Sequence, residues 1–418
     1  MDANDYVKTI ATAARRAAAA LAVTTGQQRD TALAACAEAI RKDKAALQEA
    51  NARDLAASEE LGLSAAMVDR LTLSASRIEG MAAALEQIAA QVDPVGRTIC
   101  AYNRPNGLRI EKRRVPIGVV GIIFESRPNV TADAAGLCLK SANACILRGG
   151  KEAIHSNLAI AAALARGLAA ADLPTEAVTV IDQTDRAIVP ALAQAQGLVD
   201  LIIPRGGEGL IRAVAEAATI PVIKHYAGNC HVYVHSRADL DMAREIVMNA
   251  KCQRPGVCNA METLLVDVSV AEPFLSTVAA ALSEAGVELR GDDQARTAAA
   301  EMKVAGDDDW YAEYLDLVLA VKVVDGLDAA VSHINTYGSG HTDAIVTESQ
   351  SAAEAFVAGV DSSSVMVNAS TRFSDGGEYG LGAEIGISTD KLHARGPMGA
   401  EDLTTYKWIV TGNGHVRT

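Results

Sequence analysis

From residue 118 onward, continuous apolar runs alternate with helical patterns, and this alternation limits the possible folds more than any other feature. Apolar runs that predict strands span residues 118–124, 145–148, 178–181, 198–204, 222–224 and 231–234. Helical patterns, such as residues 153–170 and 188–195, lie between them. Buried strands joined by helices predict a parallel sheet with both faces covered. Strand patterns over residues 263–266, 317–324, 343–347 and 365–368 predict a second α/β domain.

The N-terminal part of the chain has a different character. Helical periodicity covers residues 6–21, 28–50, 64–71 and 76–91. Two extended runs then flank Pro105-Asn106-Gly107 within residues 99–115, a pattern that predicts a β-hairpin. Basic residues line its second arm, and we interpret them as the charges that protect an exposed edge strand from pairing. They are Arg109, Lys112, Arg113 and Arg114.

The composition excludes several classes of protein. The chain has 418 residues, of which 50% are hydrophobic and 22% are charged, as in a globular enzyme of more than one domain. Its formal net charge of -14 argues against nucleic acid as a partner, but not against an anionic substrate. Residues 1–11 lack an apolar signal core, and we find no uncharged apolar run of membrane-spanning length. We therefore expect a cytoplasmic protein with no membrane partner.

The cysteines and histidines show no metal signature. The seven cysteines are widely spread, which fits reduced thiols in the cytosol and not a disulfide framework. Cys252 and Cys258 do not belong to Cys-x-x-Cys pairs. His231 and His235 lie on a predicted strand, where their spacing separates them by about 13 Å, too far to share a metal ion. We therefore expect no metal.

Cys258 is the residue best placed for chemistry. It falls between a predicted helix over residues 239–250 and a predicted strand over residues 262–266. Short connections between ordered elements often carry functional side chains. A thiol there can act as a nucleophile that holds an acyl group as a thioester. The alternative is a small buried apolar residue, which is what most free cysteines are.

Two glycine turns each follow a predicted strand and open a helix. The first contains Arg148, Gly149, Gly150 and Lys151, and the second contains Arg205, Gly206 and Gly207. Glycines at a helix N-terminus let backbone N–H groups approach a phosphate. The basic side chains can add charge for a nucleotide phosphate, including a ribose 2′-phosphate. Plain turns with solvated charges are the alternative. Residues 380–386 resemble a dinucleotide fingerprint, but the last spacing is too long and no apolar strand precedes them.

A polar turn, Ser126-Arg127-Pro128-Asn129, ends another predicted strand. Parallel sheets form their sites at the carboxyl ends of their strands. Ser126 or Asn129 can donate a hydrogen bond to an oxyanion. Arg127 can pair with a carboxylate or a phosphate. A turn held by local hydrogen bonds around Pro128 is the alternative.

Together, these motifs resemble the aldehyde dehydrogenase superfamily and, more closely, its γ-glutamyl phosphate reductase family. The resemblance rests on the polar turn, the two glycine turns and the run Gln253-Arg254-Pro255-Gly256-Val257-Cys258-Asn259-Ala260. It continues through residues 335–345, 380–388 and 404–408 and covers nearly the whole chain. The implied fold is α/β and aldehyde dehydrogenase-like, with two Rossmann-like parallel-sheet domains and a small β-hairpin oligomerisation element.

The resemblance also implies how the chain is divided. Residues 1–97 and 116–236 are expected to form an NADPH-binding domain, to which residues 366–390 return. Residues 237–365 are expected to form the catalytic domain that carries Cys258. Residues 98–115 and 391–418 are expected to pair in a homo-oligomer, either a dimer or a tetramer.

The implied reaction is the second step of proline biosynthesis from glutamate. L-Glutamyl 5-phosphate is reduced by NADPH to L-glutamate 5-semialdehyde and phosphate, through a thioester on Cys258. A functional association with glutamate 5-kinase is a further expectation, because the acyl phosphate is unstable.

The resemblance assigns roles to other residues as well. Ser126 and Asn129 are expected to act with the nucleophile as oxyanion donors. Arg127 and Arg254 are expected to bind the phosphate or the α-carboxylate of the substrate. Glu313 resembles the glutamate that holds the nicotinamide ribose in the superfamily, and the two glycine turns are expected to bind the remainder of NADPH or NADP+.

One segment departs from the wider superfamily. Hydrolytic members carry a glutamate before a Gly-Gly pair, and His225 stands at that place in the run His225-Tyr226-Ala227-Gly228-Asn229. An enzyme whose acyl acceptor is phosphate does not need a base for water, so the histidine favours an acyl-phosphate reductase. A hydrolytic aldehyde dehydrogenase using NAD and a non-enzymatic member of the fold remain as alternatives.

Overall fold

The structure of the chain, a computed structural model, describes residues 2–417. The helices are α1 (Ala3–Leu21), α2 (Gly26–Lys42), α3 (Lys44–Ala56), α4 (Ala65–Leu71), α5 (Ala75–Ala90), α6 (Asn129–Lys140), α7 (Ile154–Ala170), α8 (Ile188–Ala193), α9 (Glu208–Ala217), α10 (Leu240–Cys252), α11 (Ala271–Glu284), α12 (Asp293–Ala298), α13 (Gly326–Tyr337) and α14 (Gln350–Gly359). The strands are β1 (Thr98–Asn103), β2 (Arg109–Pro116), β3 (Val119–Phe124), β4 (Ala144–Arg148), β5 (Val178–Val180), β6 (Leu201–Arg205), β7 (Cys230–Val234), β8 (Met261–Asp267), β9 (Glu288–Gly291), β10 (Lys303–Val304), β11 (Val318–Val324), β12 (Thr342–Val346), β13 (Ser364–Val367), β14 (Ile387–Ser388), β15 (Gly396–Pro397) and β16 (Thr404–Thr411).

The chain forms two compact units. The first contains Met1–Lys224, Gly380–Gly386 and Met398–Thr418, and the second contains His225–Tyr379 and Ile387–Pro397. The first unit has a parallel sheet of order β5-β4-β3-β6, and the second has a parallel sheet of order β10-β9-β11-β8-β7-β12-β13. Every residue of β3, β7, β8 and β12 is buried, as expected for strands covered on both faces. The predicted α/β class with two parallel sheets is confirmed.

Four helices of the first unit, α1, α2, α4 and α5, begin at a side-chain cap, and the helices pack closely. Thr25 and Gln28 form a reciprocal capping box at the start of α2. Helix α7 approaches α2 so closely that a Cβ at Gly167 would lie 2.6 Å from the Cα of Cys36. Small residues at such contacts allow the alanine-rich helices to bury their faces against one another.

Two of the predicted elements are wrong in detail. The helix expected over residues 28–50 is broken at Asp43, which ends α2 and precedes α3, and whose carboxylate pairs with Arg166 of α7. The strand expected over residues 222–224 is reduced to one bridge between Ile202 and Val222. Pro221 precedes that bridge, and a proline has no N–H with which to extend a ladder.

A separate antiparallel sheet of order β1-β2-β16 belongs to the first unit. Strand β2 pairs on both sides, so the interpretation of its basic residues as protection of an exposed edge strand is wrong. The predicted hairpin is confirmed, with Gly107 at a φ of +89° in the turn, where a side chain would be strained. Aromatic residues on β16 remain exposed, and the ammonium of Lys112 lies 3.6 Å from the ring centroid of Tyr406. This sheet therefore presents an apolar and aromatic surface to solvent.

One helical stretch, Lys151–Ala170, is long and apolar enough to cross a membrane by length and composition, which the sequence analysis did not anticipate. In the fold, α7 packs against α2 and α3, and its inward face is buried. Its apolar character is accounted for by this packing inside the first unit.

Candidate active site

Cys258 lies on the loop between α10 and β8 and is partly exposed. Both flanking elements are firmly held, since Asp239 caps the start of α10 and β8 is buried along its length. The next residue, Asn259, donates from its amide to the carbonyl oxygen of Ser374 at 2.9 Å. A thiol is thus presented to solvent from a backbone that is fixed on both sides.

The segment that leads into β7 packs directly against Cys258. A Cβ at Gly228 would lie 2.0 Å from the carbonyl oxygen of Cys258, so a glycine is required there. The thiol of Cys230 donates to the same carbonyl oxygen at 3.1 Å. The N–H of Gly228 donates to a carboxylate oxygen of Glu313 at 2.8 Å. The segment therefore fixes the Cys258 carbonyl and connects it to Glu313.

Two histidines lie beside the thiol. One ring nitrogen of His225, one of His341 and the Cys258 sulfur all lie within 4.8 Å of one another. The two imidazole rings meet edge to face, with centroids 5.5 Å apart. His225 is partly exposed and its Nδ1 lies 2.7 Å from the carbonyl oxygen of Ile387, whereas His341 is fully buried.

A buried ion pair supports the loop. The ammonium of Lys251 lies 2.5 Å from one carboxylate oxygen of Glu262, and the other oxygen accepts the N–H of Leu315 at 3.2 Å. Burial raises the pKa of Glu262 to about 7 and lowers the pKa of Lys251, and the attraction between the two charges opposes both shifts. Neither residue was assigned a role from the sequence.

Two arginines give the Cys258 loop a positive environment. Arg254 is exposed, and Arg372 lies on the turn Thr371–Phe373, where its Nε donates to the side chain of Gln253 at 2.9 Å. Burial and the Arg254 guanidinium lower the pKa of Arg372, while negative charge at Cys258 acts in the opposite direction. Arg372 is therefore within electrostatic range of both Arg254 and the thiol, and a pair of cations suits a phosphate.

The neighbouring cysteines differ from Cys258 in their environment. Burial raises the pKa of Cys230 well above its usual value, and negative charges nearby raise it further. Burial also raises the pKa of Cys252, against the nearby Lys251 ammonium. Both residues are therefore held as neutral thiols, and Cys252 at the end of α10 is a suitable control for Cys258.

The polar turn after β3 lies in the first unit, and its polar groups donate to acidic residues of that unit. The backbone N–H and the hydroxyl of Ser126 both donate to Glu152 at 2.7 Å, and Ser126 has a φ of +42°. The amide of Asn129 donates to Asp133 at 3.0 Å. Burial raises the pKa of Asp133 to about 6, although Asn129 and Arg205 oppose this. Both of the predicted oxyanion donors have acceptors within their own unit.

The two glycine turns also lie in the first unit, and acidic residues accompany them. The N–H of Gly207 donates to Glu125 at 3.0 Å, and Arg205 lies 3.6 Å from a carboxylate oxygen of Glu384. A Cβ at Gly149 would lie 2.1 Å from the amide of Asn157. No heavy atom would lie within 4 Å of a Cβ at Gly207, so this turn faces open space.

The first turn carries the more accessible charge. Lys151 is exposed, and the guanidinium of Arg148 donates to the carbonyl oxygen of Gly149 at 3.1 Å. A Cβ at Gly150 would lie 2.0 Å from the carboxylate of Glu152. The acidic partners Glu125, Glu152 and Glu384 were missed because a carboxylate gives no phosphate-binding signal in a sequence.

The second unit thus brings Cys258, Arg254 and Glu313 into one neighbourhood. It adds His341 and Arg372, to which the sequence analysis gave no role. His341 was within a recognised motif, Gly338-Ser339-Gly340-His341-Thr342, so a signal for it existed. Arg372 follows β13 on an irregular turn and shows no motif that would have singled it out.

Comparison with known proteins identifies the relatives of this chain. A model described as the aldehyde dehydrogenase family matches residues 1–303. The chain belongs to the aldehyde dehydrogenase family. Family members use a nicotinamide cofactor, so the prediction of a nicotinamide cofactor is confirmed. The predicted aldehyde dehydrogenase-like fold is confirmed as well.

Three relatives within the family match along almost their entire length. The chain is 54% identical over 411 residues to a γ-glutamyl phosphate reductase from Moorella thermoacetica, covering 98% of each chain. It is 54% identical over 413 residues to one from Geobacter metallireducens, covering 99% of each. A crystal structure of γ-glutamyl phosphate reductase from Thermotoga maritima superposes with a TM-score of 0.97 at 44% identity, covering 99% of this chain and 100% of that one. The predicted resemblance is confirmed.

Proposed function

We propose that this aldehyde dehydrogenase family member reduces L-glutamyl 5-phosphate to L-glutamate 5-semialdehyde with release of phosphate, in proline biosynthesis. The observation that carries the proposal is the Cys258 loop with its two arginines, in a chain that matches γ-glutamyl phosphate reductases over almost its whole length. A thiol and an anion-binding group are the parts that transfer of an acyl group from phosphate requires.

Cys258 is the proposed nucleophile. Its thiolate attacks the acyl carbon, a C–S bond forms, and the C–O bond to phosphate breaks. The phosphate leaves as an anion and carries the bonding electrons. Because an acyl phosphate is already activated, the chain needs only to supply the thiolate and to stabilise the oxyanion.

Arg254 and Arg372 are the proposed partners of the leaving phosphate. Guanidinium groups form charge-assisted and often bidentate hydrogen bonds to phosphate oxygens. Arg372 lies within electrostatic range of Arg254 and of the Cys258 sulfur and is oriented by its bond to Gln253. Arg127, in the first unit, is kept as a proposed ligand for the phosphate or the α-carboxylate.

The oxyanion is proposed to receive the backbone N–H of Cys258 together with Ser126 or Asn129. The backbone donor costs no reorganisation, because the loop is fixed by Gly228 and Asn259. The hydroxyl of Ser126 would have to leave Glu152 in order to donate, whereas the amide of Asn129 has a second N–H besides the one that it donates to Asp133.

The residues of the first unit fit an NADPH phosphate. Arg148 and Lys151 supply positive charge, the turn at Gly207 opens onto free space, and the buried Nε of Arg148 has no hydrogen-bond partner. Arg205, Gly149, Gly150 and Gly206 complete the proposed cofactor-binding residues, and Glu313 is proposed to bind the nicotinamide ribose. When bound, NADPH supplies the hydride that reduces the thioester. Cys258 then leaves the resulting thiohemiacetal as a thiolate, which frees the semialdehyde.

The segment at His225 argues against a hydrolytic enzyme. Hydrolysis of a thioester calls for a base that activates water. Hydrolytic members of the superfamily carry a glutamate there, whereas this chain has His225 and no carboxylate at that position. A hydrolytic enzyme would turn over without phosphate, which separates the two functions in an assay.

We also propose a role for each unit and a contact through which copies of the chain assemble. The first unit binds the cofactor, and the second carries the chemistry. The sheet β1-β2-β16 is the proposed contact in a homodimer or homotetramer, because Tyr406, Trp408 and Val410 are exposed on it. The cytoplasm is the proposed location, and glutamate 5-kinase the proposed functional partner.

A comparison of cysteine variants tests the proposed function. Cys258→Ala and Cys258→Ser should lose phosphate-dependent oxidation of the semialdehyde, whereas Cys252→Ala should retain it. The forward direction requires a coupled assay with glutamate 5-kinase, since the acyl phosphate does not persist. Near-normal turnover by the Cys258 variants would overturn the proposal.

A further inference from the structure

The thiol of Cys258 belongs to a cluster of metal-ligating atoms. Its sulfur, one ring nitrogen of His225 and one of His341 all lie within 4.8 Å of one another. These residues come from three separate segments, before β7, before β8 and before β12. This is why ligand spacing in the sequence gave no indication of the cluster. Thiolate and imidazole are the ligands that zinc prefers in proteins.

Both histidine rings are oriented by hydrogen bonds on their Nδ1 atoms. Nδ1 of His225 lies 2.7 Å from the carbonyl oxygen of Ile387, which can only accept, so Nδ1 carries the hydrogen and Nε2 the lone pair. Nδ1 of His341 lies 2.9 Å from the hydroxyl of Thr342. Metal-binding histidines have such a second hydrogen bond, which holds the ring plane and, at His225, also fixes the tautomer.

Only a small adjustment would bring the atoms into coordination. With bonds of about 2.3 Å to sulfur and 2.0–2.1 Å to nitrogen, tetrahedral ligands stand roughly 3.5 Å apart. The three atoms need to approach by about 1 Å, which side-chain rotation of the partly exposed Cys258 and His225 can supply. His341 is fully buried and provides the rigid point of the site.

We propose that Cys258, His225 and His341 form a reversible inhibitory site for a divalent cation of the zinc class. The thiol releases its proton as the sulfur–metal bond forms, and the fourth position is left to water. The metal holds the thiolate that would otherwise attack the substrate. Inhibition rests on the proposed function of Cys258, whereas binding of the metal does not.

The surroundings limit how tightly the site binds. Structural zinc sites have four protein ligands, and this cluster offers three. Arg372 also places positive charge near the sulfur and opposes a cation. The site should therefore release its metal to a chelator, in keeping with inhibition and not with a permanent structural role.

Cobalt(II) tests binding without relying on activity. Titration of the metal-free full-length protein should give a thiolate-to-cobalt charge-transfer band that saturates at one ion per chain. Zinc should displace the cobalt and remove the band. Prior alkylation of Cys258 with iodoacetamide should prevent the band, and bound zinc should slow that alkylation.

Variants locate the ligands. Cys258→Ala should abolish the band, and His225→Gln should weaken cobalt binding by about 10- to 100-fold. His341→Gln should weaken cobalt binding to a similar extent as His225→Gln. Circular dichroism should confirm that this buried substitution leaves the fold intact. Cys252→Ala and His155→Gln, which alter a non-ligand thiol and an exposed imidazole, should leave the band unchanged.

Different results test the metal site and the proposed function. No cobalt band in the wild-type protein, a full band in Cys258→Ala, or an unchanged cobalt affinity in His225→Gln would overturn the metal site even if the enzyme is active. A normal band in a protein without phosphate-dependent activity would support the metal site and overturn the proposed function. Zinc should inhibit the active wild-type enzyme, and EDTA should restore its rate.

Discussion

The ammonium of Lys251 lies 2.5 Å from the carboxylate of Glu262, and both side chains are completely buried. Glu262 also accepts the N–H of Leu315 at 3.2 Å. One ion pair therefore joins the end of α10, the start of β8 and the segment that contains Glu313. These are the elements that hold the Cys258 loop.

Removal of one partner of this pair should destabilise the protein strongly. Glu262→Ala leaves an uncompensated buried ammonium, and we expect the free energy of unfolding to fall by about 3–5 kcal/mol in urea titrations. The double variant Lys251→Met with Glu262→Leu should recover most of the loss, because no buried charge remains. Glu49→Ala, which breaks an exposed pair with Arg53 at 3.8 Å, should change stability by less than about 1 kcal/mol. Equal effects of Glu262→Ala and Glu49→Ala would contradict this role.

Gly228→Ala should impair catalysis by displacing Cys258. Its Cβ would lie 2.0 Å from the Cys258 carbonyl oxygen, and the backbone would have to move. A displacement of about 1 Å in a reacting group can lower kcat by about 100-fold. Gly80→Ala is the control, because α5 has open space at that position and gains about 0.5–1 kcal/mol from the substitution. Steady-state kinetics and thermal unfolding of both variants test this prediction. An unaffected kcat in Gly228→Ala would show that catalysis does not need the close contact between Gly228 and Cys258.

Arg372→Ala should weaken phosphate binding. A charge-assisted hydrogen bond contributes about 1.5–3 kcal/mol, so the KM for phosphate in semialdehyde oxidation should rise by about 10- to 100-fold. Arg372→Lys should recover part of the loss, since lysine keeps the charge but not the planar fork. Arg244→Ala, on the exposed side of α10, should leave this KM unchanged. If both alanine variants behave alike, the phosphate lies elsewhere.

His333 should make the fold sensitive to acid. Burial, with help from the positive charges of His231 and Lys322, lowers the pKa of His333 from 6.5 to about 3. Because the folded pKa lies below the unfolded one, the contribution to stability is complete above pH 6.5 and is lost progressively as the pH falls towards 3.

The variant His333→Phe should remove this dependence. Urea titrations at several pH values should show that the wild type loses up to about 1.4 kcal/mol per pH unit more than the variant in that window. His155→Phe, at an exposed position of α7, should follow the wild type. Parallel curves for His333→Phe and the wild type would indicate that His333 is not kept neutral.

The order of the elements could be predicted because the signals are local. Continuous apolar runs such as β3 and β8 are buried on both faces, and Pro105-Asn106-Gly107 does form a hairpin turn. One failure has a non-local cause. The break at Asp43 depends on Arg166, which is remote in sequence, and a helical pattern continues through it.

The site was only partly predictable, because most of its contacts join distant segments. Cys258 was found from its place between two elements. His341, Arg372 and Glu262 depend on how β12, the turn after β13 and α10 come together within the second unit. The engagement of Ser126 by Glu152 is likewise a tertiary contact that no spacing in the sequence reports.

The central claim is that Cys258 carries the acyl group and that phosphate removes it. With semialdehyde and NADP+ but no phosphate, the wild-type enzyme should release a burst of about one NADPH per Cys258 and then stop. Mass spectrometry should find the acyl group on the peptide that contains Cys258, and added phosphate should remove it and restart turnover. Steady turnover without phosphate, or an acyl group on Cys252 in place of Cys258, would contradict the account.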